Sequence, residues 1–319
     1  MNQPIATASP PTRRWQQLPL PLLELAMVLC WSSGFVGARF SIDYAPAALV
    51  VLWRCVLLSL LLGPWVLGPL RRASWPALLH NAGIGLLAMG GYLAGVTEGI
   101  ALGVPTGLAA LIADLLPIGM ALIAAATGGQ PLGRQAWLGL SIGFAGVLLV
   151  AHEALSWGSA PGWAYALPLL GMLSLAVASL WQNRLGATQA LGLLTHLWLQ
   201  CCVSAIVFAA LASLHGTLWP IPTWGFAVSV LWTAGVATLG GYGLYWVCLR
   251  RSGPTRVASV LYLSPAVTLV WAWMLFDEPL SWLMLVGTAV SALGIWQVMS
   301  APAADKHPPR CVPSGARPE

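Results

Sequence analysis

The chain has 319 residues, of which 58% are hydrophobic and only 7% charged, and a formal net charge of +5. Soluble domains carry about a quarter charged residues, so these proportions exclude a water-soluble globular protein and place the chain in the membrane class. The basic excess does not signal nucleic acid either, because the basic residues sit between apolar runs rather than in one patch.

In chain order, residues 1–18 form a Pro-rich polar tail expected to be disordered. Arg13-Arg14 ahead of the first apolar run resembles an export signal, but no small-residue cleavage site follows and an uncleaved first span is expected. Ten stretches are long and apolar enough to span a bilayer: roughly 20–40, 46–68, 76–98, 104–127, 135–152, 163–184, 191–214, 223–249, 255–276 and 281–299. Residues 301–319 form a second disordered tail. The expected architecture is an all-α membrane protein of ten transmembrane helices. Its segments are a tail (1–18), a first five-helix repeat (19–152), an external connector (153–162), a second five-helix repeat (163–300) and the C-terminal tail (301–319).

Charge placement gives the direction. Arg13, Arg14, Arg71, Arg72, Arg134, Arg184, Arg250, Arg251, Arg256, Lys306, Arg310 and Arg317 fall on one side if both termini share it. The other side holds Asp43, Glu98, Glu153, Asp277 and Glu278, opposed only by Arg39. The positive-inside rule puts both termini in the cytoplasm. Of the 18 tryptophans, Trp15, Trp65, Trp75 and Trp137 then lie near the inner surface, and Trp157, Trp163, Trp219, Trp224 and Trp282 near the outer, as an interfacial belt.

The sequence also repeats. Gly90, Gly91, Tyr92 and Gly103 match Gly240, Gly241, Tyr242 and Gly253 at an offset of 150. Gln130-Pro131-Leu132 matches Glu278-Pro279-Leu280 at 148, as do Pro117 with Pro265, Gly139 with Gly287 and Gly146 with Gly294. Each copy holds five spans, an odd number, so the second enters the membrane from the opposite side. Inverted repeats are characteristic of transporters whose site lies at the repeat interface near the midplane.

These features resemble a known family. "LCWSSGFVGARF" (29–40), "LWRC" (52–55) and "LSPAVTLVWAWMLFDEPLSWLMLVGTAVSALG" (263–294) are similar to patterns of the drug/metabolite transporter superfamily, in its ten-span EamA-type branch. The likeness covers about residues 20–300 and departs at Gln130, where the family usually has Glu. Within the branch the chain looks most like the aromatic amino-acid exporters. That resemblance implies amino-acid export across the inner membrane, with other metabolites or drugs as alternative cargo.

Ionisable groups inside a membrane are costly and therefore functional candidates. Here they are Glu24, Arg54, His80, Asp114 and His196, with Glu98 at a span end. Glu24 is close enough to the cytoplasmic edge to snorkel, and His196 reads as a neutral hydrogen-bonded histidine. Arg54 needs a counter-charge, and Asp114 or Glu98 is expected to supply it, as a scaffold salt bridge or as a pair meeting the two ends of a zwitterion. His80 beside Asn81 is a candidate for the inner gate. Pro117 and Pro265 are expected to kink their helices and free a carbonyl one turn earlier, for packing or for lining a cavity. Trp31, Ser32, Tyr92, Asp114, Tyr242, Ser259 and Tyr262 are the candidate substrate-binding residues. Glycines at four-residue spacing in span 3, and Gly139, Gly143, Gly287 and Ser291, suggest close packing within a monomer or across a homodimer face.

An enzyme is the contrasting class, and nothing supports it. His152-Glu153 is not continued as a zinc-protease motif, there is no Gly-x-Ser-x-Gly, and no second intramembrane aspartate pairs with Asp114. The six cysteines (Cys30, Cys55, Cys201, Cys202, Cys248, Cys311) lack metal or disulfide spacing. No metal, cofactor or ATP motif is expected, so any transport draws on a gradient, and proton coupling is open.

Overall fold

A computed structural model describes residues 18–127, 133–157, 160–184, 191–214, 216, 218–261 and 263–300. The tails 1–17 and 301–319, and with them Trp15 and Cys311, lie outside the described residues, as do Gln130 and Tyr262. Thirteen α-helices make up the described chain, with no strand among its residues. They are α1 (Leu20–Ser41), α2 (Ala47–Arg72), α3 (Trp75–Gly85), α4 (Tyr92–Ala101), α5 (Thr106–Ala113), α6 (Leu116–Ala126), α7 (Arg134–Trp157), α8 (Ala166–Arg184), α9 (Leu193–Leu214), α10 (Trp224–Trp232), α11 (Gly243–Leu261), α12 (Ser264–Phe276) and α13 (Trp282–Met299). Seven helical stretches are long and apolar enough to cross a membrane, and three shorter apolar helices accompany them.

Several stretches are composite, and their joints recur in both halves. Leu86–Gly91 joins α3 to α4 as π-helix, and Thr233–Tyr242 joins α10 to α11 in the same way. Both contain the matched Gly-Gly-Tyr motif or run into it. The fourth expected span is split at Asp114–Leu115 between α5 and α6, and the ninth is divided between α11, which ends at Leu261, and α12, which begins at Ser264. The matched prolines explain the splits. Pro117 and Pro265 each lie in the first turn of the following helix, where a missing N–H costs nothing. One turn deeper, each would clash with the preceding helix. A full break thus replaces the expected kink. The loop expected near 250–254 is not a break, since α11 runs continuously from Gly243 to Leu261.

The matched helices α7 and α13 pack against each other along their length. A Cβ on Gly139 would strike the Gly294 carbonyl, and one on Gly146 would strike the backbone of Gly287 and Ser291. Gly143 faces Ser291, whose hydroxyl donates to the Gly143 carbonyl at 3.2 Å. As one number rises the other falls, so the helices are antiparallel. Exchanging 139 with 287 and 146 with 294 maps one contact onto the other, which is a local twofold relation. Backbones this close require glycine on both sides.

The described belt tryptophans Trp65, Trp75, Trp137, Trp163, Trp219, Trp224 and Trp282 are all exposed. Exposed aliphatic residues such as Leu60, Ile206 and Leu231 cover the flanks between them, a surface suited to lipid rather than water. The α7–α13 contact is a testable part of this arrangement. Gly294→Leu should cost about 1–3 kcal/mol through overpacking and lower the melting temperature of the detergent-purified protein. Gly133→Leu, whose Cβ would meet nothing within 4 Å, should leave it unchanged.

Candidate functional site

Trp31 stands at the centre of the helices. It sits on α1, where Gly34 and Gly37 let the second half approach: a Cβ on Gly37 would strike Thr233 and Trp232. Its ring is 6% exposed. Its centroid lies 5.2 Å from that of Tyr242, 5.4 Å from Tyr245 and 6.2 Å from Tyr92, all with tilted planes. The indole Nε1 has no hydrogen-bond partner. The π-helical segments set this cluster, since each delivers a matched tyrosine at its end. The Tyr242 hydroxyl donates to the Ala88 carbonyl of the other π-segment at 3.3 Å.

A narrow cleft of about 30 Å³ opens beside these rings. Trp31, Gly34, Phe35, Ala38, Arg54, Tyr92, Leu93, Val96, Thr97, Ala237 and Tyr242 line it. The wall is apolar and aromatic with one full charge, the composition of a small-molecule site. Arg54 is 3% exposed. Its Nε and Nη2 have no hydrogen-bond partner, and Asp114 forms no ion pair with it among the described residues. The guanidinium lines the cleft, where a buried cation without full compensation costs stability.

Asp114 does not line the cleft. It caps the C-terminus of α5, immediately before α6 begins. It is 7% exposed. The Ser264 hydroxyl bonds to it, and its Oδ2 has no partner. Ser32 in turn donates to the Ser264 hydroxyl and carbonyl, both at 3.2 Å. A chain from Ser32 through Ser264 to Asp114 thus ties α1, α12 and the α5–α6 break together. Tyr92 lies within electrostatic reach of both Asp114 and Arg54.

The remaining expected residues fall elsewhere. His80 hydrogen-bonds the Pro76 carbonyl at 2.7 Å and lies edge-on to Trp181, away from the cleft. Glu98 lies one residue beyond the cleft-lining Thr97 and does not line it. The side chain of Ser259 lies outside the described residues, as does Tyr262. Glu24 does not snorkel. It is 5% exposed and accepts two hydrogen bonds from Arg256, at 2.6 and 3.0 Å. Thr97, Phe35 and Val96 carried no sequence signal beyond their one-turn spacing from Trp31 and Tyr92.

A second, larger cavity of about 350 Å³ lies further along the same helices. Its wall includes Arg39, Ile42, Ile100, Gly103, Leu269 and Glu278. On α1 the lining shifts from Trp31, Gly34, Phe35 and Ala38 to Arg39 and Ile42. On α4 it shifts from Tyr92, Leu93, Val96 and Thr97 to Ile100. The two cavities are thus stacked along one α1–α4 groove, over ~16 Å at the helical rise. At the far end Glu278 accepts from the Thr106 amide and hydroxyl, with Arg39 Nε 3.9 Å away.

Comparison with known proteins agrees with this architecture. The EamA-like transporter family matches residues 20–152 and again 162–300. The "Probable amino-acid metabolite efflux pump" of Escherichia coli (strain K12) is 24% identical over 282 residues, covering 86% of this chain and 93% of its own length. The "Uncharacterized inner membrane transporter YedA" of the same strain is 27% identical over 288 residues, covering 85% and 88%. A crystal structure at 18% identity superposes with a TM-score of 0.60 over 87% of this chain and 95% of its own, which shows a shared fold.

An uncompensated buried cation costs stability that a neutral group of similar shape would not. Arg54→Met should therefore raise the melting temperature of the purified, unliganded protein, by an amount equivalent to about 1 kcal/mol or more. A fall would mean that the guanidinium is structurally paired. With two matched halves, helices suited to a bilayer and a charged aromatic cleft between them, the chain is a multi-pass membrane protein of the EamA-like transporter family.

Proposed function

We propose that this protein is an inner-membrane exporter of amino acids with aromatic or other apolar side chains. The observation that carries the reading is the buried Arg54 guanidinium, with Nε and Nη2 lacking partners, in a cleft walled by Trp31, Tyr92 and Tyr242. A planar cation of this kind accepts a carboxylate in two-point fashion. The rings accept an apolar side chain. Asp114 lies outside the cleft wall but within electrostatic reach of the lining Tyr92, and favours the ammonium end at a distance. A bound carboxylate compensates the Arg54 charge, so cargo is favoured over an empty cleft. A cationic drug would meet Arg54 with like charge, which argues against that cargo.

In this reading the chain crosses the membrane ten times with both termini in the cytoplasm, as the charge distribution supports. The two repeats exchange inner and outer roles by alternating access, and the matched helix breaks serve as hinges near the midplane. The stacked outer cavity is the release path. Export as the direction is supported by the relatives named efflux pump and inner membrane transporter.

Counterflow of radiolabelled phenylalanine in proteoliposomes tests this. Arg54→Met and Asp114→Asn should each reduce exchange at least about tenfold. Phenylpropionate and phenethylamine, each lacking one charged end, should compete at least about tenfold more weakly than phenylalanine. Equal competition by phenethylamine, or full exchange in Arg54→Met, would remove the zwitterion reading.

A further inference from the structure

A second polar cluster lies on the other side of the aromatic rings. His196, Gln200 and Ser204 follow one another at four-residue spacing on α9, and all three are buried. His196 Nδ1 lies 2.9 Å from Asn81 Oδ1, and its Nε2 lies 2.8 Å from Gln200 Nε2. The Asn81 amide nitrogen donates to the Ala77 carbonyl at 2.7 Å, so its oxygen faces the histidine and must accept. Nδ1 therefore carries the proton. Nε2 accepts from the Gln200 amide, and the ring is neutral.

The titratable and charged groups on elements packed against α9 are Arg54, Cys55, Arg71 and Arg72 of α2, His80 of α3, and Tyr245, Cys248, Arg250, Arg251 and Arg256 of α11; Cys201 and Cys202 lie on α9 itself. No carboxylate occurs on α2, α3, the π-segment Leu86–Gly91, α9 or α11. An imidazolium here would lose the Gln200 contact, because a protonated Nε2 cannot accept. Gln200 can answer by turning its amide, since its Oε1 is buried with no partner. The Ser204 hydroxyl and Trp246 Nε1 are likewise buried without partners.

This cluster touches the cargo site through rings. His196 meets Trp246 edge-on at 4.9 Å, Trp246 meets Tyr245 at 5.2 Å, and Tyr245 meets Trp31 at 5.4 Å. We propose that His196, held between Asn81 and Gln200, is a proton-binding site whose occupancy controls the cargo cleft through Trp246, Tyr245 and Trp31. The neutral ring holds α3, α9 and α11 together with Trp31 in place. The protonated ring turns Gln200, displaces Trp246 and disorganises the rings that receive the side chain. The link to cargo rests on the amino-acid reading above; the proton site itself does not.

The experiment has two arms. In the first, phenylalanine counterflow is measured with equal pH on both faces, from about pH 5 to about pH 8, which spans ordinary histidine titration. The wild type should lose about tenfold of its rate on the acid side in a one-proton step. His196→Gln and His196→Asn should be flat in pH, and His80→Gln should keep the step. Gln200→Glu, which puts a carboxylate against Nε2, should move the midpoint to higher pH by about a unit. In the second arm, melting temperature is followed across the same range in detergent without cargo. Wild type and His196→Gln should diverge, because a site that binds protons differently in folded and unfolded chains makes stability depend on pH. Diverging melting curves with no phenylalanine exchange would keep the proton site and discard the cargo. Coinciding melting curves, or a pH step kept by both His196 variants, would overturn the proposal.

Discussion

In hydrocarbon a backbone N–H or C=O without a partner costs several kcal/mol, and everything polar in this molecule is arranged around that constraint. Among the described residues the helices are interrupted at the π-segments Leu86–Gly91 and Thr233–Tyr242, at Asp114–Leu115, and between α11 and α12. The π-segments pack against helices of the opposite half. Leu86–Gly91 is covered by α8 and α9, and the Leu87 carbonyl takes the Ser174 hydroxyl at 2.8 Å. Thr233–Tyr242 is covered by α1. The π-segments thus lie against protein, and they frame the aromatic cleft.

The charged groups obey a related rule with a different outcome. Glu24 and Arg256 satisfy each other, and Glu278 is satisfied by Thr106 and approached by Arg39. These contacts strap α1 to the α11–α12 region near both of its ends, while Ser32 and Ser264 join them between. Arg54 keeps two buried nitrogens without partners, and Asp114 one oxygen. A buried cation left in that state costs stability.

The two halves share a frame and differ in chemistry. The matched prolines, the Gly-Gly-Tyr motifs and the α7–α13 glycines are common to both. Arg54, Asp114 and His196 belong to one copy each: Asp114 falls opposite Tyr262, and no acidic residue occurs in α8, α9 or the second π-segment. Symmetry supplies two equivalent ways to pack the bundle, and asymmetry supplies the groups that distinguish the states.

Composition and apolar runs determined that this is a membrane protein, because only a nearly uncharged chain with such runs is stable in a bilayer. The odd number of expected spans per repeat and the spacing of Pro117 and Pro265 determined where the symmetric joints lie, since proline acts on its own helix. Trp31, Arg54, Tyr92 and Tyr242 were legible as candidates because a charge or a ring at mid-span stands out against leucine. Their meeting in one cleft was not legible, because depth along a helix says nothing of its azimuth. Thr97 and Val96 carry no signal until α4 is turned toward α1. The contact of His196 with Asn81, 115 residues apart, and the ring path from Trp246 to Trp31 depend on four separate segments meeting. Only the tertiary structure decided those, because side-chain contact between helices is set by packing and not by the sequence of either one.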